Sequence, residues 1–167
     1  ALLITPNSDK TDFEIELVGA TGDINAGQAI DRSGVMMGLK FPCGREIEGF
    51  AKQYQGKLPK AKICVKNGKC NLSGLENIAK KLYDETNDIS FVSAYVLNFV
   101  GETLFKLTED IRVEYPNIPI LYAGGVMSNK YLQNKLSRFS NTYFATPEFS
   151  ADNAAGIAIL TNKSNKK

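Results

Sequence analysis

The sequence contains no histidine. That removes Ser-His-Asp, Cys-His and His-Glu-x-x-His chemistry from this polypeptide. Any metal held here needs carboxylate ligands, or ligands from another stretch of chain. Cysteine is scarce: Cys43, Cys64 and Cys70 form no Cys-x-x-Cys, and without histidine they complete no zinc site. Cys64 and Cys70 flank Asn67-Gly68, the signal for a type I′ hairpin. In such a hairpin Val65 faces Cys70 and Cys64 points to the opposite side. This argues against a disulfide between them and fits a reducing cytoplasm. Long apolar runs are also lacking. Phe91 to Phe105 is the longest, and Ser93, Asn98, Gly101 and Glu102 interrupt it, as in a buried helix rather than a membrane span. No signal-peptide pattern, internal repeat or low-complexity linker is visible. Nor is there a charge imbalance: 20 basic against 18 acidic residues leave a net charge of +2, too weak to indicate nucleic acid on its own.

What is present is an ordinary globular composition, 43% hydrophobic and 23% charged over 167 residues, suited to one domain or two small subdomains sharing a core. The run Ala1–Thr5 and the alternation over Phe13–Val18 predict strands. The sequence begins without methionine, and the expectation is that it is cut from something longer. Asp23 is expected to cap a helix through Ile24–Met37, stopped by Gly38. Gly44–Tyr54 predicts a second helix and Ala61–Leu72 the hairpin. Ser73-Gly74-Leu75-Glu76 predicts a capping box that opens a helix to Asp84. Asp88 or Ser90 starts the longest helix, running to Glu114, with Val92, Val96, Phe99, Leu104 and Leu107 at helical spacing. A buried strand Ile118–Ala123, a Gly124-Gly125 turn, a helix Asn129–Arg138 capped by Ser128, a strand Thr142–Ala145 and a helix Ala151–Leu160 complete the expectation. The order implies an α/β fold with a mixed sheet. Residues 1–161 form the domain, with a helical insert over 23–115, and 162–167 form a disordered basic tail containing Lys163, Lys166 and Lys167.

Three segments are candidates for chemistry. Gly124 and Gly125 lie between strand and helix, where backbone can approach a ligand closely and the next helix offers free N–H groups. The same turn also serves as a bare connector. Asp23, Gly27 and Asp31 are spaced by four and would share one helix face, either for a ligand or as a solvated face. Asp152 and Asn153 open a helix of small residues, either as caps or as oxygen ligands for a metal.

Read together and in order, these segments resemble one family. Gly19-x-Thr21-x-Asp23-x-x-x-Gly27-x-Ala29-x-Asp31, then Met37-Gly38-Leu39 and Phe41-Pro42-x-Gly44, resemble the long signature of the tRNA threonylcarbamoyladenosine transferases. Cys70–Leu75, Asp88-Ile89-Ser90, Ala123–Asn129 and Pro147–Ala155 resemble further segments of that family, colinear over nearly the whole chain. The resemblance implies the actin-like (ASKHA) ATPase fold, with two RNase-H-like halves around a nucleotide, of which this is the C-terminal half. It implies a threonylcarbamoyl transfer from an adenylate to an adenosine of tRNA. It implies that Asp31, Gly44, Gly124, Gly125 and Asn129 face ATP or an adenylate, and that Asp152 binds a divalent metal (iron, zinc or magnesium). It also implies partners: the N-terminal lobe, other proteins of the same modification pathway, and tRNA. The family's older description, O-sialoglycoprotein endopeptidase, finds no protease machinery here. The family's His-x-x-x-His pair and Ser-Gly-Gly loop are absent from this stretch. Gln28 stands where the family has glutamate and Glu76 where it has lysine. These departures leave room for a non-catalytic nucleotide-binding or scaffolding paralogue.

Overall fold

The computed structural model describes residues 1–7, 12–146 and 148. Strands β1 (Leu2–Pro6) and β2 (Phe13–Leu17) pair antiparallel. The short β3 (Ala20–Thr21) leads into helix α1 (Ala26–Met36), followed by α2 (Gly44–Ala51). Strands β4 (Cys64–Lys66) and β5 (Lys69–Asn71) form the hairpin. Asn67 and Gly68 both take positive φ, 52° and 70°, the type I′ geometry that their sequence predicts. Val65 pairs with Cys70, and Cys43, Cys64 and Cys70 are free thiols. Helices α3 (Gly74–Thr86) and α4 (Ile89–Glu114), strand β6 (Ile120–Tyr122), a 3₁₀ turn (Gly125–Ser128), α5 (Lys130–Leu136) and β7 (Thr142–Phe144) follow.

Helix α4 organises the rest. The Asp88 carboxylate accepts from the N–H groups of Ser90 and Phe91, at 2.9 and 3.0 Å, and so caps it. Every residue from Val92 to Leu97 is buried, so the helix is covered on more than one side. Helices α1, α2, α3 and α5 all pack on it, as does the β4–β5 hairpin. At the α1–α2 crossing, a Cβ on Gly34 would sit 2.4 Å from Cys43 Cβ and 2.7 Å from its sulfur. Only glycine lets these two helices come so close.

Several expectations are corrected. A single mixed sheet does not form among the described residues; there are three small ones, β1-β2, β3-β5-β4 and β6-β7. The strands are only two to five residues long; the β4–β5 hairpin packs on α4, and Tyr122 and Phe144 of the β6–β7 pair pack against the buried core. Mixed α/β character holds. The RNase-H-like sheet stays an implication of the resemblance. Strand β6 is not buried: Leu121 is 66% exposed, because only one face of the β6-β7 pair meets the core. Asn25, not Asp23, caps α1, in a box where Asn25 Oδ1 accepts from Gln28 N at 2.8 Å and Gln28 Oε1 accepts from Asn25 N at 3.2 Å. No such box opens α3, where Ser73 is helical and its side chain makes no cap bond. Helix α2 stops at Ala51, short of Tyr54. Residues 125–128 wind into the 3₁₀ turn, so Asn129 rather than Ser128 caps α5. The predicted helix Ala151–Leu160 and tail 162–167 lie outside the described residues.

The β1–β2 pair carries an exposed apolar face. Leu2 faces Leu17 and Ile4 faces Ile15, and these four side chains are 55–67% exposed. Among the described residues no helix is long and apolar enough to cross a membrane.

Candidate functional site

Helix α2 is the seat at which three of the candidate residues meet. Half-buried Asp31, on α1, accepts from the Cys43 backbone N–H at 2.7 Å and so holds the entry to α2. Gly44 is the first residue of α2, with open space where a Cβ would stand. No side chain caps this helix. The N–H groups of its first turn beyond Cys43 are open to a ligand, with the Asp31 and Glu46 carboxylates standing at the same end. One turn further on, Glu48 accepts from Asn129 Nδ2 at 3.2 Å, from Lys130 N at 3.4 Å and from Lys52 Nζ at 2.9 Å. Asn129 Oδ1 in turn accepts from Leu132 N at 3.1 Å. Both polar ends of the Asn129 side chain thus have partners inside the protein.

Gly124 and Gly125 reach this region by another route. Gly124 has φ +102°, a conformation that side-chain-bearing residues rarely adopt, and nothing crowds either glycine. The next residue, Val126, packs against the first turn of α1: its Cγ2 would be 3.6 Å from a Cβ on Gly27. The Gly-Gly turn therefore stands beside the N-terminus of α1, while Asn129 binds α2.

Asp31 also borders an open groove of about 370 Å³ lined by Gln28, Arg32, Val35, Met36, Phe41 and Glu76. Gly44, Gly124, Gly125 and Asn129 do not line it. Arg32 and Glu76 form an exposed ion pair at 3.8 Å across the groove. The two positions that depart from the resembled pattern, Gln28 and Glu76, thus share one groove.

Asp23 does not share a helix face with Gly27 and Asp31, because α1 begins only at Ala26. Its carboxylate instead gathers the N–H groups of Ile24, Leu72 and Ser73, at 2.7 to 3.2 Å. Burial pushes this carboxyl up, but the Leu72, Ser73 and Ile24 donors outweigh it and hold Asp23 well below the usual carboxylate range. Burial, with Asp31 and Glu46 nearby, pushes the Cys43 thiol up. Asp152 lies outside the described residues. Among the described residues no three His, Cys, Asp or Glu side chains come together to hold a metal. Sequence reasoning missed Glu48. Its one local signal was its position four residues after Gly44, on the same face of α2.

Residues 10–159 match the family profile of the tRNA N6-adenosine threonylcarbamoyltransferases. Curated relatives carry the same description. The protein of Rickettsia rickettsii (strain Sheila Smith) is 34% identical over 165 residues, covering 86% of this chain and 47% of the relative. That of Thermosipho africanus (strain TCF52B) is 34% identical over 175 residues, covering 95% of this chain and 52% of the relative. The protein of Rickettsia bellii (strain OSU 85-389) is 35% identical over 165 residues, with 86% and 48% covered. The chain belongs to the tRNA N6-adenosine threonylcarbamoyltransferase family, and it spans about half the length of the curated relatives it matches.

Proposed function

We propose that this chain is the C-terminal, nucleotide-facing lobe of a tRNA N6-adenosine threonylcarbamoyltransferase. In that reading an adenylate lies over α2. The free N–H groups at Gly44 face its phosphate, and Asp31 and Asn129 hold the surrounding walls. The open turn at Gly124 and Gly125 lets backbone approach the nucleoside. The adenosine amine of a tRNA attacks the threonylcarbamoyl carbonyl carbon, the bond from that carbon to the adenylate phosphate oxygen breaks, and the nucleotide leaves. The observation that carries the proposal is that Asp31 and Gly44 meet at the start of α2, while Asn129 binds Glu48 one turn further along the same helix.

A divalent metal fits this chain poorly on its own. The sequence has no histidine, and Asp152 is a single carboxylate. Other ligands must come from elsewhere, and no step of the proposed transfer is routed through the metal. The N-terminal lobe is the proposed partner that supplies the other cleft wall and covers the apolar β1–β2 face. Proteins of the same modification pathway and tRNA are the further proposed partners.

Titration calorimetry of the purified chain with ATP and a divalent metal tests the proposal. One wall leaves little surplus after the entropy of association, so the expected affinity is weak and transfer to tRNA is nil. Sub-micromolar ATP binding, or threonylcarbamoylation by this chain alone, overturns the half-site reading. Photo-crosslinking with an azido-adenine nucleotide at saturating concentration supplies the positive arm, with labelling expected between residues 31 and 44 and between 124 and 129.

The second reading, a non-catalytic paralogue, is favoured by Gln28 and Glu76 lining the same groove. Gain of transfer by the longer protein carrying Gln28→Glu and Glu76→Lys, over an inactive parent, would support it.

A further inference from the structure

Six lysines, Lys52, Lys57, Lys60, Lys62, Lys66 and Lys69, fall in one stretch of the sequence, and no Asp or Glu occurs between Gly49 and Leu75. The near balance of charge over the whole chain hides this segregation. All six are exposed. Lys52 is paired with Glu48 at 2.9 Å. Among the described residues no carboxylate forms an ion pair with the other five.

The fold arranges them further. From Lys60 to Lys66 the burial alternates: Ala61, Ile63 and Val65 turn inward, while Lys60, Lys62, Cys64 and Lys66 are exposed. The period of two sets the lysines on one outward edge, alternate residues about 7 Å apart. Across the hairpin Lys66 pairs directly with Lys69. Two like charges opposite one another in a ladder repel and destabilise it. Inward-facing Val65 and Cys70, and the contact of both strands with α4, hold the hairpin in this register. Asp110 and Glu114 border the groove beside the Asn67-Gly68 turn, where Asp110 is already paired with Lys106 at 3.1 Å, and Asp23 beyond the hairpin is held by the Leu72 and Ser73 N–H groups.

We infer that the outward edge formed by Lys57, Lys60, Lys62, Lys66 and Lys69 docks the phosphate backbone of RNA. A row of unpaired ammonium groups on an extended segment suits a polyanion, and binding relieves the Lys66–Lys69 repulsion. No aromatic ring or arginine stands among these lysines, so their ammonium groups position the RNA backbone and do not select its sequence. The choice of RNA over another polyanion rests on the transferase reading above.

Fluorescence anisotropy with labelled unfractionated tRNA and the full chain tests this. Wild type should bind with a steep salt dependence. Replacing all five lysines by glutamine should weaken binding by roughly tenfold or more and lower the log–log salt slope by about 3.5 to 4.5, near 0.7–0.9 per lost phosphate contact. Replacing them by arginine should restore binding, and Lys80→Gln with Lys81→Gln on α3 should leave it unchanged. Circular dichroism of each variant reports whether the fold is kept. Unaltered affinity and slope in a folded five-glutamine variant overturn the inference. So does binding of polyglutamate in place of tRNA, which would mark a surface for an acidic protein. The ATP titration is read separately. Lysine-dependent tRNA binding beside an untouched nucleotide result keeps the edge and discards only the nucleotide site, and the reverse outcome does the opposite.

Discussion

Asn129 and Glu48, 81 positions apart in sequence, are joined by a hydrogen bond of 3.2 Å from the asparagine amide to the glutamate carboxylate. The same asparagine caps α5 through its other polar atom. One side chain thereby fixes the Gly-Gly turn and its helix onto α2.

Asn129→Ala should lose both bonds and strand Glu48 with fewer donors. A destabilisation of about 1–2 kcal/mol is expected from cap loss and one fewer donor on Glu48, which keeps Lys52 and the Lys130 N–H. Urea unfolding measures it. In a double-mutant cycle with Glu48→Gln, a coupling below about 0.5 kcal/mol would show that the pair does not act as a unit.

Gly34→Ala sets two effects against each other. Alanine favours a helix interior by up to about 1 kcal/mol. Its Cβ would meet the Cys43 Cβ at 2.4 Å, an atom fixed to backbone. The clash wins, and a net loss of about 1–3 kcal/mol is expected. A thermal melt no lower than wild type would contradict the close α1–α2 approach.

Asp23 predicts an acid-sensitive tie between the start of α1 and the start of α3. Its folded-state pKa lies below the ordinary value of 3.8. Its stabilisation is therefore fully present above about pH 4 and is lost as the pH falls below that value. Asp23→Asn should melt below wild type at pH 7, and the gap should hold down to about pH 4 and narrow only below it. A gap that does not change with pH would remove the carboxylate from the explanation.

The thiols should differ in reactivity. Cys64 is exposed, whereas Cys43 and Cys70 are 0% and 5% exposed. Burial raises the pKa of both buried thiols, leaving less thiolate. Iodoacetamide at pH 8 followed by mass spectrometry should find Cys64 labelled first, with Cys43 and Cys70 modified only as the chain unfolds.

Ile15→Lys and Leu75→Ala should separate surface from core. Ile15 is 65% exposed, and its replacement should change the stability of this chain by less than about 0.5 kcal/mol. Leu75 is fully buried, and its truncation should cost about 2–5 kcal/mol. A large loss at Ile15 in chemical denaturation would mean that the β1–β2 face is covered within this chain.

What the sequence determined by itself was local. The Asn67-Gly68 turn and the Asp88 cap each depend on groups within a few residues, so their chemistry is written in neighbouring letters. The 26 residues of α4 announce themselves by periodicity for the same reason. The colinear motifs also sufficed for the family, because membership rests on residue identity and order. Tertiary structure decided everything that needed two distant segments to approach. Asp23 reads as a helix cap, yet Leu72 and Ser73, 49 and 50 positions away, bring it better donors. Ser73-Gly74-Leu75-Glu76 reads as a capping box, yet Glu76 turns to Arg32. Glu48 carries no signal until α5 arrives beside it. All strands but the two-residue β3 were legible one by one, but their separation into three small sheets was not, since pairing depends on which backbone edges come together in the fold. Close approach at Gly34 and burial around α4 set those distances, and neither is a property of any one segment.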